Sequence, residues 1–418
     1  MTQWASSRLV SYTIRSSRPP DERVWARTSA NPGEVAHDGP ATRYEIRERR
    51  RITWHGKTGT RRTVPGPAGR SRCCWPTGRT PPTPLRAFPL AGPPGTALYL
   101  KDESRRPTGS LKHGPARDLL LDALRANEIG PDTPLFEATS GNMAVAQAHF
   151  ARLLGLPYTA VVPGRTGVAK RQRIEAQGGR CVPFDPPLEV YRKARSLAEE
   201  SGGHCLDHLE RVGGAVDWSG PASLGAQILG DMEKVGEPAP AWIVVGVGTG
   251  ATSAAVCRYL RMRGVGTRLA VVDPENSAYF PGWAADFPGY TTGMPSRIEG
   301  IGRPRMEPAF DPSVVDLVIP VPDVASVTAM RHLRAVTGLM AGPSSGSCLW
   351  GAFQVLDRMR RVGLQGPVVM VVGDGGETYR ETYYNDTWTE AKGWHLDGQL
   401  SDMERFTATG AWGVAPAG

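Results

Sequence analysis

A chain of 418 residues, 40% hydrophobic and 22% charged, has ordinary soluble composition and enough length for two or three domains with a sizeable core. The formal charge of +8 is uneven: residues 1–90 carry 17 Lys and Arg against 6 Asp and Glu, whereas the other 328 carry 32 against 35. The basic character therefore belongs to the N-terminal segment and gives no ground for a nucleic-acid partner of the body, and no apolar run reaches the ~18 residues of a membrane span. Cys73, Cys74, Cys181, Cys205, Cys257 and Cys348 show neither CxxC nor Cys/His ligand spacing, and the adjacent Cys73 and Cys74 are too cramped for an ordinary mutual disulfide. With no apolar signal core at the N-terminus, this usage predicts a reduced, cytoplasmic protein without a metal site.

Residues 1–79 are rich in Arg, Ser, Thr, Pro and Gly and hold no sustained period of 2 or 3.6 residues, so they are expected to stay outside any folded domain. Arg47, Arg49, Arg50 and Arg51 form their densest cluster, but aromatic interleaving and repeats, which a nucleic-acid arm would show, are lacking. Order is expected from Thr83-Pro84-Leu85. Strands are predicted over 97–101, 134–138, 158–162 and 180–184, and helices over 117–124, 143–154, 169–176 and 188–201. A helix over 224–235, a strand over 242–246, a helix over 253–262 and a strand over 269–273 follow. After an irregular Gly/Pro/aromatic-rich stretch at 274–312, regular segments are predicted at 314–321, 325–337, 348–362 and 368–372. This alternation predicts parallel sheet with helices on both faces.

Four turns in that frame carry chemistry. Lys112, in Pro107-Thr108-Gly109-Ser110-Leu111-Lys112-His113, follows a Gly-Ser turn and opens a helix. Desolvation and the positive end of the helix both disfavour its ammonium, which suits an amine that must form a Schiff base. Thr139-Ser140-Gly141-Asn142 gathers N–H groups, hydroxyls and an amide at a helix start. Such a turn can bind an anion, although a plain N-cap uses the same residue types. In Gly246-Val247-Gly248-Thr249-Gly250-Ala251-Thr252-Ser253 the glycines admit close approach of backbone amides to a phosphate, and Thr249 and Thr252 add hydroxyls. The loop fits neither the dinucleotide fingerprint nor a Walker loop, and a monophosphate cup suits it better. Gly342-Pro343-Ser344-Ser345-Gly346-Ser347 precedes an apolar helix, as a cap or as a hydroxyl aimed into a cleft.

Taken in order, these turns resemble the fold-type II pyridoxal-phosphate enzymes of the cysteine synthase and cystathionine β-synthase superfamily, over about residues 83–386. The resemblance implies an α/β fold of two parallel or mostly parallel three-layer αβα domains, tryptophan synthase β-like, with pyridoxal 5'-phosphate in the cleft between them. The expected organisation is an N-terminal extension at 1–79 and a catalytic region at 80–390 made of two interleaved domains, the smaller at about 125–225. A tail at 391–418 completes it. By the same resemblance Lys112 carries the cofactor and then acts as general base, and Asn142 contacts the phenolic oxygen. Gly248, Thr249, Gly250, Ala251 and Thr252 take the cofactor phosphate, and Ser344 faces the pyridine nitrogen. Thr139, Ser140 and Gly141 take the substrate carboxylate, with Gly300 also on the substrate side.

Longer matches resemble an L-cysteine desulfhydrase subgroup: Tyr99-Leu100-Lys101-Asp102-Glu103-Ser104, Val272-Asp273-Pro274-Glu275-Asn276-Ser277, Ile298-Glu299-Gly300-Ile301-Gly302-Arg303-Pro304 and Asp374-Gly375-Gly376-Glu377-Thr378-Tyr379. They imply β-elimination of L-cysteine or a close analogue to sulfide, pyruvate and ammonia through an aminoacrylate, in a homodimer acting on a small amino acid. Cysteine synthase-type β-replacement on O-acetylserine is the alternative. Two departures stand out. Ala251 replaces a frequent Gly, and Asp207-His208-Leu209 stands where a Gln-Phe pair is expected, placing His208 at the leaving-group pocket. A non-catalytic binding protein that kept this fold would be expected to lose the lysine, and Lys112 is present.

Overall fold

The computed structural model describes residues 82–92 and 95–412, together with the backbone of a short antiparallel ladder between Trp54–His55 and Arg61–Arg62. Apart from that ladder, the extension expected at 1–79 lies outside the described residues, as do Cys73 and Cys74.

The larger sheet has six strands: β1 (Leu85–Phe88), β2 (Thr96–Asp102), β7 (Trp242–Gly246), β8 (Arg268–Pro274), β9 (Leu317–Val321) and β10 (Gly366–Val372). Their spatial order is β9-β8-β7-β10-β2-β1, with only β1 antiparallel to its neighbour. The smaller sheet is wholly parallel, in the order β5 (Arg180–Phe184), β4 (Tyr158–Pro163), β3 (Leu135–Glu137) and β6 (His204–Cys205). Parallel strands need crossovers, and helices supply them.

The middles of the central strands are apolar because both faces are covered. Ile243, Val245 and Val271 face α6 (Leu224–Lys234) and α7 (Ala251–Met262), packing with Ile228, Met232, Val256 and Leu260. The alternate residues Val244 and Val272 face α10 (Pro343–Arg361), so closely that a Cβ on Gly351 would strike Val272. The smaller sheet repeats the scheme. Ala160 and Val162 pack with α1 (His113–Arg125), α2 (Asn142–Leu154) and α3 (Val168–Glu175), whereas Val161 meets Val190 and Ala194 of α4 (Val190–Ser201). Two mostly parallel αβα layers result, as the alternation predicts.

The helix predicted at 348–362 begins instead at Pro343, so the late serine turn is itself the first turn of α10. Proline at the first helical position is pre-set in φ and lacks an N–H that would go unbonded, which lets the helix start ahead of its apolar run. The short α8 (Tyr279–Ala284) lies in the connection after β8. After α11 (Asp386–Glu390), residues 397–409 form α12 (Asp397–Thr409), whose Phe406 stacks on Phe353 at 4.4 Å and whose Thr407 hydroxyl lies 2.8 Å from His332 Nε2 on α9 (Asp323–Thr337). No helix of the described residues is long and apolar enough to cross a membrane.

Candidate active site

The chemistry-bearing turns leave the carboxyl ends of parallel strands, where open α/β sheets place their ligands. Residues 139–142 follow β3, residues 248–252 follow β7, and Asp374 follows β10. Lys112 lies beyond β2, held against the end of β10 by Leu111 N donating to Gly373 O at 2.8 Å. Gly300 and Arg303 come from the long connection after β8, pinned by Gly302 N donating to Val247 O at 2.8 Å.

Lys112 caps the N-terminus of α1. Its amine faces a cavity of about 380 Å³ shared with residues 139–142, Tyr191, His208, Gly300 and Arg303, and borders a smaller one lined by the glycine loop. It makes no hydrogen bond or ion pair with any described residue. Burial lowers its pKa to about 8, the Arg303 charge pushes the same way, and Asp374 opposes both.

Hydroxyls that could serve as caps are left over for other work. The cap of α2 is Gly141, with no side-chain bond to the helix, so Thr139 and Ser140 present their side chains to the larger cavity. Asn142 Nδ2 donates to Asp374 Oδ2 at 2.6 Å, and its Oδ1 accepts from Arg173 at 3.0 Å. The buried Asp374 also accepts from the Tyr379 hydroxyl at 2.7 Å, while its Oδ1 has no partner. Burial raises the Asp374 pKa. Sequence reasoning assigned no role to Asp374 or Arg173. For Asp374 a signal existed, since an acid directly after a buried apolar strand stands where ligands bind.

The glycine loop is shaped by contact. A Cβ on Gly248 would lie 2.7 Å from Gly300 O and 3.9 Å from Lys112 Nζ, and Gly250 holds φ +88° against Phe310. Gly248, Thr249, Gly250 and Thr252 line the smaller cavity with Lys112, Asn142 and Ser344. Ala251 does not; its methyl is buried in the apolar core beside Ala309. Ser344 projects toward Gly373 from the first turn of α10.

His208, 5% exposed, opens α5 (His208–Ala215) and lines the larger cavity. Its Nδ1 lies 3.2 Å from Glu137 Oε2, off the hydrogen-bond line, and its backbone N–H donates to the same oxygen at 3.0 Å. Glu137 is buried, and despite that burial His208 and Gln147 hold its carboxyl below the usual value. Sequence reasoning missed this carboxylate, for which one glutamate in an apolar strand was the available sign.

The chain matches the family model described as pyridoxal-phosphate dependent enzyme over residues 77–374. It is 47% identical over 317 residues to L-cysteine desulfhydrase Cds1 of Mycobacterium tuberculosis, covering 75% of this chain and 86% of that protein. It is 28% identical over 309 residues to the cysteine synthase of Aquifex aeolicus, covering 72% and 88%. Among solved structures, O-ureido-L-serine synthase superposes with a TM-score of 0.62 at 26% identity, over 75% of this chain and 97% of that one.

The cavity suits that cofactor. An aldehyde calls for a neutral amine, a phosphate for converging N–H groups and hydroxyls, and a flat ring for a slot that side chains leave open. Lys112, the Gly248, Thr249, Gly250 and Thr252 loop, and the Gly248–Gly300 approach provide these in turn. The chain belongs to the pyridoxal-phosphate dependent enzyme family.

Proposed function

We propose that this chain catalyses β-elimination of L-cysteine, or a close analogue, to sulfide, pyruvate and ammonia. The observation that carries the reading is an unpartnered Lys112 amine facing, across one cavity, a turn built for a carboxylate and an imidazole on the far wall. The desulfhydrase relative at 47% identity supports it.

Bound pyridoxal phosphate supplies an electron sink for the negative charge left at the substrate Cα. In this reading Lys112 holds the cofactor, Gly248, Thr249, Gly250 and Thr252 its phosphate, Asn142 its phenolic oxygen and Ser344 its ring nitrogen. A neutral hydroxyl at the nitrogen leaves the ring less electron-demanding than a carboxylate would. The N–H groups and hydroxyls of Thr139, Ser140 and Gly141 fix the substrate carboxylate beside Gly300, with the Cα–H toward Lys112. Lys112, whose ammonium is disfavoured by burial, takes that proton as general base. His208, oriented by Glu137, gives a proton to the departing sulfur, which helps a thiolate more than it helps acetate.

We extend the proposal to a homodimeric cytoplasmic enzyme. The four described cysteines, Cys181, Cys205, Cys257 and Cys348, are free, in keeping with a reducing compartment. The extension at 1–79 is proposed to be dispensable for turnover. Light scattering gives the oligomeric state.

Incubation with L-cysteine alone tests the reaction. Equimolar sulfide and pyruvate are expected, with a loss in His208→Ala. Rapid cysteine formation from O-acetylserine and sulfide, without pyruvate from cysteine, would place the chain with the synthases.

A further inference from the structure

The glycine loop is held from behind by a residue that lines neither cavity. Tyr279, the first residue of α8, is fully buried, and its hydroxyl donates to Gly248 O. Burial raises its pKa, so the O–H stays a donor. The ring leans on Phe310 at 4.7 Å, the same residue against which Gly250 is folded. Helix α8 is seated at two points: Phe280 N donates to Oδ2 of the buried Asp273 at 2.8 Å, and Ala278 N donates to Arg303 O at 2.8 Å.

The carbonyls on either side of Gly248 are tied back as well. Val247 O accepts from Gly302 N at 2.8 Å. Gly250 O accepts from the Ser253 hydroxyl at 2.8 Å and from Ala254 N at 3.0 Å. In a trans peptide the C=O of one residue and the N–H of the next point in opposite directions. Bonds to Val247 O and Gly248 O therefore turn the N–H groups of Gly248 and Thr249 the other way. Both residues are buried and line the smaller cavity, and neither N–H has a hydrogen-bond partner among the described residues. Buried N–H groups without partners are rare and unfavourable, and an anion in that cavity would satisfy them. What separates Tyr279 from an ordinary core tyrosine is thus the carbonyl it holds.

We propose that Tyr279 is a positioning residue for the cofactor phosphate: by holding Gly248 O from behind, it fixes the Gly248–Thr249 peptide with the Thr249 N–H aimed into the smaller cavity, where it donates to a phosphate oxygen. Asp273 acts one step further back, seating the helix that carries the tyrosine. This rests on reading the glycine loop as the phosphate cup. Without the hydroxyl, Gly248 O is left buried and unbonded. The peptide then relaxes by rotating its carbonyl toward the cavity, where it repels phosphate, and glycine at 248 permits that rotation.

The test titrates the full chain, resolved of cofactor, with pyridoxal phosphate and with phosphate-free pyridoxal, in the parent and in Tyr279→Phe, which keeps the ring against Phe310. Tyr279→Phe should raise the Kd for pyridoxal phosphate by ~10-fold, the loss of about one hydrogen bond to a charged group, and leave that for pyridoxal unchanged. The phosphorus NMR resonance of the bound cofactor should move in the same variant. A second measurement needs no variant: with isotope-labelled threonine in the parent protein, the Thr249 amide proton should shift downfield when pyridoxal phosphate replaces pyridoxal. An unmoved Thr249 amide overturns the inference. A preference for the phosphate that Tyr279→Phe leaves intact, or an equal loss for both aldehydes, overturns it while the phosphate-cup reading stands. A parent protein that binds the two aldehydes equally well overturns both.

Discussion

Lys101 and Lys112 stand eleven residues apart, both inside the protein, and they meet opposite conditions. Lys101, at the end of β2, has a fully buried side chain whose amine donates to Asp231 Oδ2 at 2.5 Å and to Thr83 O at 2.7 Å. Next to it Arg106 pairs with Glu103 at 2.7 Å and reaches Gln227 at 3.1 Å. Burial lowers the pKa of Lys101 and Asp231 pulls it back, so the charge is answered where it sits. Lys112 meets burial with no such answer among the described residues, beside an Arg303 they leave unpaired and a half-satisfied Asp374. A buried charge alone does not mark a site. What marks this one is donors that converge on a cavity and stay unused.

Exchanging the two lysines' fates gives the largest expected effect. Lys112→Ala should lower turnover by about 10³-fold or more while the far-ultraviolet circular dichroism and unfolding midpoint stay near those of the parent. Asp231→Ala should do the reverse. It strands the Lys101 charge, costing about 3–5 kcal/mol in denaturant unfolding, yet cofactor-loaded molecules should keep their turnover. Lys101→Met should cost less, because Asp231 retains Lys234 at 2.7 Å.

How much of this contrast the sequence carried differs between the two lysines. Lys112 was legible because a Gly-Ser turn before a helix, followed in order by three further turns, has few structural uses. Strand alternation and both sheet layers were legible for the same reason, that period and punctuation are local. The start of α10 was not, since Ser344, Ser345 and Ser347 resemble a loop until Pro343 fixes the first turn. Nor were the pairings of Lys101 with Asp231, of Glu137 with His208, or the solitude of Arg303. Each depends on which distant residue the fold delivers, and in Arg303 on finding no partner among the described residues.

The pH dependence sharpens the comparison with a smaller effect. In the apoprotein, capture of an aldehyde should rise about tenfold per pH unit below 8 and level off above it, because the neutral amine reacts and the Lys112 pKa is lowered to about 8. Rates still climbing through pH 10 would give Lys112 an ordinary amine. The linked stability has a definite sign: between about 8 and the ordinary 10.5 the unfolded chain binds the extra proton, so Lys112 makes the folded apoprotein more stable as pH rises.

The most direct measurement is borohydride reduction of the purified, cofactor-loaded protein, followed by peptide mapping. A pyridoxyl group on Lys112 alone, with Lys101 unmodified, is the predicted result. Modification at Lys101 or elsewhere in place of Lys112, or no adduct in a protein that still turns over substrate, would contradict the account.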